Sequence, residues 1–245
     1  MTERPYVTLS CAMSIDGYLD DAEPQRLVLS NAVDLDRVDG VRAENDAIMV
    51  GASTVRRDDP RLLVKSAERR RQRIAAGLTA SPAKVTVTSS GELPHEAEFF
   101  STGDVPRFVY TPQSKVRRLQ SRLGSSAVVV GLGERVTMCG LLDDLAGERG
   151  VRRLMVEGGG TLLTQFLAEG LADELHLVIA PLFVGEQRAP RVVRPARFPW
   201  SAARRAELVA TQQLDDVVLL RYALSSRFEP TGVADSKAGL PAEAR

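Results

Sequence analysis

The chain has 245 residues, 44% of them hydrophobic and 26% charged, and its 32 basic residues balance 32 acidic ones. That length can bury one large or two small cores, and a zero formal charge argues against a nucleic-acid footprint or an anionic-membrane surface. Cys11 and Cys139 lack Cys-x-x-Cys spacing and His95 and His176 are the only histidines, so a disulfide scaffold, a metal site or a Ser-His-Asp triad has little material.

No apolar run approaches the roughly 20 residues of a membrane helix. Met1–Pro5 holds no signal-peptide core, which predicts a cytoplasmic protein. In chain order, Tyr6–Met13 reads as a buried strand running into an Asp16-Gly17 turn. Ser30 is a good N-cap for an amphipathic helix over Asn31–Asn45, with Val33, Val38 and Val41 as its apolar stripe. Ala47–Val50 is an apolar strand, followed by a Gly-hydroxyl-acid stretch from Gly51 to Leu62 with Pro60 inside it. Paired acids among three arginines at such a strand end stand where an α/β sheet places ligands, although a plain helix turn closed by Asp-Pro fits as well. Ser66–Gly77 predicts a basic, solvated helix ended by Gly77.

Lys84–Thr88, Arg107–Tyr110 and Ala127–Val130 read as further strands, with helices over Ser114–Leu123 and Leu141–Arg149. Thr88-Ser89-Ser90-Gly91 is a hydroxyl cluster at a strand end, able to cap a phosphate or simply to turn. Gly131-Leu132-Gly133 lacks the third glycine of a dinucleotide fingerprint and says little. A strand over 154–156 then meets Glu157-Gly158-Gly159-Gly160-Thr161, and Leu162, Leu163, Phe166 and Leu167 recur at helical spacing. Three glycines supply no packing, but they let another molecule approach the backbone at a helix start, where free N–H groups suit a phosphate. Glu157 either faces a reacting centre or bonds nearby backbone N–H groups. Ala172–Pro181 is a strand carrying a packed His176, and Leu208–Gln212 with Val217–Ala223 forms an antiparallel pair. Residues from about 225 to 245 read as a mobile tail. Strands alternating with helices and ending in an antiparallel pair predict an α/β protein, a mostly parallel sheet flanked by helices with an antiparallel C-terminal edge. The glycine-bearing strand ends offer hydroxyls, N–H groups and a few acids but no nucleophile-base pair. Such a site suits chemistry carried by a phosphorylated ligand such as a dinucleotide.

Several motifs occur together in order: Ser14-Ile15-Asp16-Gly17, Arg42 before Asp46-Ala47-Ile48, Gly51-x-x-Thr54-Val55-x-x-Asp58-Asp59-Pro60-x-Leu62, Val156-Glu157-Gly158-Gly159-Gly160, and Asp173-Glu174-Leu175 with Ala180-Pro181 and Gly185. Over about Tyr6–Ala223 this pattern resembles the reductase domain of bacterial riboflavin biosynthesis and its stand-alone archaeal and fungal relatives. The resemblance implies a dihydrofolate-reductase-like domain over 1–224, NADPH as donor, and reduction of a ribosylamino-pyrimidine 5′-phosphate to its ribityl form by a homodimer. It implies cofactor contacts at Ala12, Leu27, Thr54, Asp58, Ser89 and the run Gly159, Gly160, Thr161, Leu162, Leu163, Thr164 and Gln165. Arg42, Leu62, Lys65 and Glu157 are implied substrate contacts, and Asp58 and Glu157 catalytic ones. Lys65 stands where relatives often carry an Arg, and would meet a phosphate as a point charge rather than a fork. Ser10 stands where bifunctional relatives usually carry a Lys, and Asp20–Gln25 departs from their Ser/Gly-rich linker. No deaminase-type His-x-Glu and Cys-x-x-Cys pair occurs, which predicts a monofunctional chain. Two rivals are a same-fold reductase of a pterin, a dihydrofolate or a secondary-metabolite pyrimidine, and a non-catalytic nucleotide-binding protein.

Overall fold

The computed structural model describes residues 3–23 and 25–230. In chain order the elements are β1 (Tyr6–Ser14), α1 (Ala32–Glu44), β2 (Ala47–Gly51), α2 (Ala52–Asp58), α3 (Ala67–Ala75), β3 (Ala83–Val87), α4 (Glu98–Ser101) and β4 (Arg107–Thr111). Then come α5 (Val116–Leu123), β5 (Val128–Gly131), α6 (Met138–Gly147), β6 (Arg153–Val156), α7 (Gly160–Ala168), β7 (Glu174–Ala180), β8 (Glu207–Leu214) and β9 (Val217–Ala223). Among the described residues they form a nine-stranded sheet in the order β5-β4-β3-β2-β6-β1-β7-β9-β8. Pairing is parallel from β5 to β7, and β9 runs antiparallel to both β7 and β8. The predicted α/β sheet with an antiparallel C-terminal edge is what forms.

The central strands are apolar on both faces because helices cover both. Met49 joins Val85, Tyr110, Leu142, Leu163 and Phe166 on the α6/α7 side. Its neighbours Ile48 and Val50 join Val55, Phe99, Val109 and Leu119 on the α2/α5 side. At the antiparallel edge Leu29, Val178, Leu214 and Leu219 make a third cluster. The opposite face of that edge stays half-covered. There Cys11 and Met13 of β1 register with Leu177 and Ile179 of β7, which register with Leu220 and Val218 of β9.

Several local expectations change. α1 is capped by Asn31, whose side chain accepts from the Asp34 amide, and not by Ser30. Its inner face is acidic: Asp34 and Asp39 are buried while Val33 is half exposed. The Asp39 carboxylate accepts from the Lys65 and Ser66 amides and from Arg69, so α1 docks through polar bonds that an apolar-period search cannot see. The basic α3 is likewise not wholly solvated. Arg73 is buried and donates to the carbonyls of Ala43, Asn45 and Thr79. α6 starts at Met138, where Thr137 caps it, rather than at Leu141. The four-residue α4 is too short for periodicity to reveal. His176 packs as expected, bonded to Glu174 at 2.8 Å and facing Arg37 at 3.2 Å. At the start of the predicted tail, Ser225 and Arg227 bond to Asp173, while residues 231–245 lie outside the described residues.

Candidate active site

The C-terminal ends of β2 and β6 are stitched together by backbone bonds. The Glu157 amide donates to the Met49 carbonyl and the Gly51 amide to the Gly158 carbonyl, both at 2.9 Å. Gly158 has φ +102°, a conformation that favours glycine, and the Gly158–Gly159 peptide is cis. Gly159 is the N-cap of α7 and contributes no capping side chain, so the first amides of the helix remain available to another partner. Gly160 has a different reason for being glycine: a Cβ there would collide with the Arg191 carbonyl.

These turns border a cleft of about 480 Å³ across the ends of β2, β3 and β6. Of the residues singled out from sequence, Ser89, Gly159, Thr161, Leu162 and Gln165 line it. Thr54 stands at its edge, its Oγ1 3.6 Å from where a Gly159 Cβ would lie. Leu163 is turned into the core, and Thr164 spends its hydroxyl on the Gly160 carbonyl and the Arg194 amide. Contacts from those two positions would therefore run through the backbone. The cleft is also lined by Ser53, Arg56, Thr88, Ser90 and Arg135, and by no Asp or Glu among the described residues. Arg135 escaped the sequence reading. The signal available for it was the Gly131-Leu132-Gly133 turn just upstream.

The remaining candidates gather on the β1 side of β2 and around the end of α2. Arg42 grips Glu157 with two bonds, Nε to Oε1 at 2.6 Å and a terminal nitrogen to Oε2 at 2.7 Å, and also reaches the Leu63 carbonyl at 3.3 Å. Burial works against the Arg42 charge, but the Glu157 carboxylate outweighs it and holds the guanidinium above its ordinary range. Glu157 is thus answered by a guanidinium and not by backbone amides. Leu62 is buried beside them in a left-handed conformation, φ +49°. The Lys65 side chain is exposed and its amide is tied to Asp39. Asp58 ends α2 half-buried and accepts no hydrogen bond among the described residues. Burial pushes its carboxyl above the usual carboxylate range, Arg26 and Arg57 pull it down, and Asp20 adds to the rise. Asp20 in turn accepts from the Leu27 amide at 2.8 Å and pairs with Arg57 at 3.1 Å, which anchors the segment carrying Leu27. Ala12 lies half-buried on β1. Asp16 of the Ser-x-Asp-Gly motif accepts from Ser14 and from the Val184 and Gly185 amides, and so ties the β1 turn to the segment after β7.

The chain's relatives fit this arrangement. The RibD C-terminal domain matches residues 5–220. The 2,5-diamino-6-ribosylamino-4(3H)-pyrimidinone 5′-phosphate reductase of Archaeoglobus fulgidus is 41% identical over 194 residues, 77% of this chain and 86% of that protein. The protein of the same name from Methanothermobacter thermautotrophicus is 35% identical, covering 90% of this chain and 99% of its relative. Among solved structures, Acinetobacter baumannii RibD superposes with a TM-score of 0.72 at 27% identity, over 90% of this chain and 58% of that one. The Saccharomyces riboflavin biosynthesis reductase Rib7 gives 0.67 at 20% identity, covering 92% of this chain and 93% of that one, a likeness of fold alone. With the family match spanning nearly all described strands and helices, the chain belongs to the RibD C-terminal domain family and has its dihydrofolate-reductase-like fold.

Proposed function

We infer that this protein is an NADPH-dependent reductase of 2,5-diamino-6-ribosylamino-4(3H)-pyrimidinone 5′-phosphate, acting in riboflavin biosynthesis as a cytoplasmic homodimer. The observation that carries the reading is kinship over nearly full length. The two archaeal reductases of that name are matched over 86% and 99% of their own chains at 41% and 35% identity. The cleft fits a dinucleotide on its own terms: it combines uncapped helix amides, hydroxyls and arginines, has no carboxylate in its lining among the described residues, and is floored by glycine backbone.

In this reading Gly159–Gln165, Thr54 and Ser89 hold the cofactor, with Ala12 and Leu27 meeting it through their backbones. When bound, the reduced nicotinamide supplies the hydride for the sugar C1′. The chain's own residues position and shield. Arg42, fixed by Glu157, presents its unused N–H groups to the substrate side, and Leu62 closes the apolar wall beside them. Lys65, exposed and without a carboxylate partner among the described residues, meets the 5′-phosphate. Asp58 accepts no hydrogen bond among the described residues, and burial raises its carboxyl range. It is the catalytic group best placed to exchange a hydrogen bond or a proton during reduction.

The homodimer is supported by the half-covered apolar face formed by Met13, Leu177, Ile179, Val218 and Leu220 on neighbouring strands. The free thiols of Cys11 and Cys139 support a reducing compartment.

The deciding experiment offers purified protein and NADPH the diamino-pyrimidine phosphate, its deaminated counterpart and dihydrofolate, following loss of reduced-nicotinamide absorbance. Turnover of the diamino compound is expected. Turnover of dihydrofolate alone, or of none of the three, would overturn the assignment.

A further inference from the structure

We propose that Arg57 and Asp20 form a latch that holds the stretch between β1 and α1 against the end of α2, and that Arg57 thereby acts as a positioning residue for the Asp58 carboxyl and the Leu27 backbone. The inference rests on the reductase reading, which gives Asp58 and Leu27 their roles. Arg57 occupies an unspecified position of the Gly51–Leu62 motif and Asp20 lies beyond the Ser14–Gly17 one, so the resemblance fixes neither.

From Leu19 to Asn31 the described residues belong to no helix or strand. Side-chain bonds order this stretch instead. Asp20, although charged, is only 7% exposed. Its Oδ1 accepts from the Asp21 amide at 3.0 Å and from the Leu27 amide at 2.8 Å, so a single carboxylate oxygen closes the stretch on itself. Its Oδ2 lies 3.1 Å from a terminal nitrogen of Arg57. The same nitrogen donates to the Asp21 and Glu23 carbonyls at 3.2 and 3.1 Å. Three oxygens of one segment therefore converge on a guanidinium that α2 carries. A carboxylate withdrawn from water needs such an answer, and a guanidinium can meet several oxygens at once. On its other side the segment is tied to the chain after β7, where Glu186 accepts from the Ala22 amide at 3.2 Å.

Arg57 directly precedes Asp58 on the last turn of α2, yet its side chain pairs with Asp20. Asp58 is left without an ion pair among the described residues, with charge of both signs around it. The groups that act on its carboxyl are Arg57 from α2 and Arg26 and Asp20 from the facing segment. The two arginines favour the carboxylate, while burial and Asp20 disfavour it. A closed latch brings Arg26 and Asp20 up to Asp58 together and fixes where the Leu27 backbone stands. One contact thus sets both the placing of Leu27 and the proton affinity of Asp58.

The main readout needs no turnover. Carboxyl-carbon NMR of the whole protein follows the titration of Asp58, its signal identified by its loss in Asp58→Asn. Asp20→Asn keeps an acceptor for the Leu27 amide but removes a negative charge, and should move the Asp58 midpoint to lower pH. Arg57→Gln removes a positive charge and should move it to higher pH, whereas Arg57→Lys keeps the charge and should stay near the wild type. The double variant should fall between the two single ones, and added salt should narrow the gap. Both Asp20→Asn and Arg57→Gln should weaken NADPH binding by about three-fold, because each loosens the Leu27 segment. The limb of the turnover pH profile that Asp58 sets should follow the NMR midpoint. A pair that merely holds the fold would move both variants the same way. Midpoints that shift in one direction in both variants, or in neither, would overturn the latch and leave the reductase reading intact. If Arg57→Gln does not fold, an unmoved midpoint in Asp20→Asn suffices to overturn it. Unchanged NADPH affinity in both variants would overturn the hold on Leu27. Opposite shifts in a protein that turns over no pyrimidine would keep the latch and overturn the reductase reading.

Discussion

The two ends of the parallel strands use carboxylates in opposite ways. At the N-terminal ends of β1 and β7, Asp173 is fully buried and saturated, accepting from both terminal nitrogens of Arg4, the Val7 amide, Ser225 and Arg227. Its neighbour Glu174 takes His176, Arg221 and Tyr6. At the C-terminal ends, Asp58 is half-buried and accepts no hydrogen bond among the described residues, and the Glu157 pair with Arg42 leaves guanidinium donors to spare. Both pairs of acids sit in motifs of equal prominence in the sequence. Satisfied carboxylates make a clasp, whereas unsatisfied ones on a cleft make a site, because a buried polar group without a partner is retained only where something else supplies one.

The largest effect should come from breaking the clasp. Asp173→Ala strands two arginines and an amide and should lower stability by about 3–5 kcal/mol, read by urea denaturation. If it instead left stability intact and abolished cofactor binding, the division between the two ends would collapse. Asp58→Ala should cut turnover by about a hundred-fold or more. It should not lower stability, because burial disfavours the Asp58 carboxylate. The sign is specific. The raised folded range makes the charged form unfavourable, so the variant should be the more stable protein at neutral pH, and the difference should vanish as pH falls below the ordinary carboxylate range. A variant that is both inactive and unstable would turn Asp58 into a clasp residue.

Gly159→Val meets no backbone strain at φ −78°, but it projects a branched side chain past Thr54 toward the cleft. A loss of NADPH affinity of about ten-fold, with an unchanged melting temperature, is expected by titration. Normal affinity would remove the glycine turn from the site. The smallest effect sharpens the structural end. Lys84 is wholly buried at the start of β3, where it donates to the Phe99 and Thr102 carbonyls at 3.0 and 2.8 Å, and burial lowers its pKa to about 8. From about pH 8 upward the folded protein has shed a proton that the unfolded chain keeps. Wild-type stability should therefore rise relative to Lys84→Met over that window, as denaturation at stepped pH would read.

Much of this was legible in the residues. Ala47–Val50 and Leu154–Val156 declare themselves as buried strands, and the glycine run after Glu157 marks a backbone approached from outside. The acidic inner face of α1 was not legible, since Asp39 looks like a solvent-facing residue until the Lys65 and Ser66 amides arrive from elsewhere in the chain, and Asp34 does so until the fold buries it beside Arg37 of the same helix. Nor was Arg135, one exposed arginine among many until the Gly131–Gly133 turn aims it at a cleft shared with residues from β2 and α7.

The alternation of strands and helices, the antiparallel ending and the family could be read from the residues alone, because apolar periodicity, turn residues and motif order are local properties of a chain. Which charges are spent and which are free was settled by folding. That Asp173 is saturated, Asp58 unclaimed and Arg42 locked to Glu157 depends on partners that stand 115 positions away for Arg42 and 169 for Arg4 on Asp173. Desolvation and hydrogen bonding act through space, and folding alone brings those groups within reach.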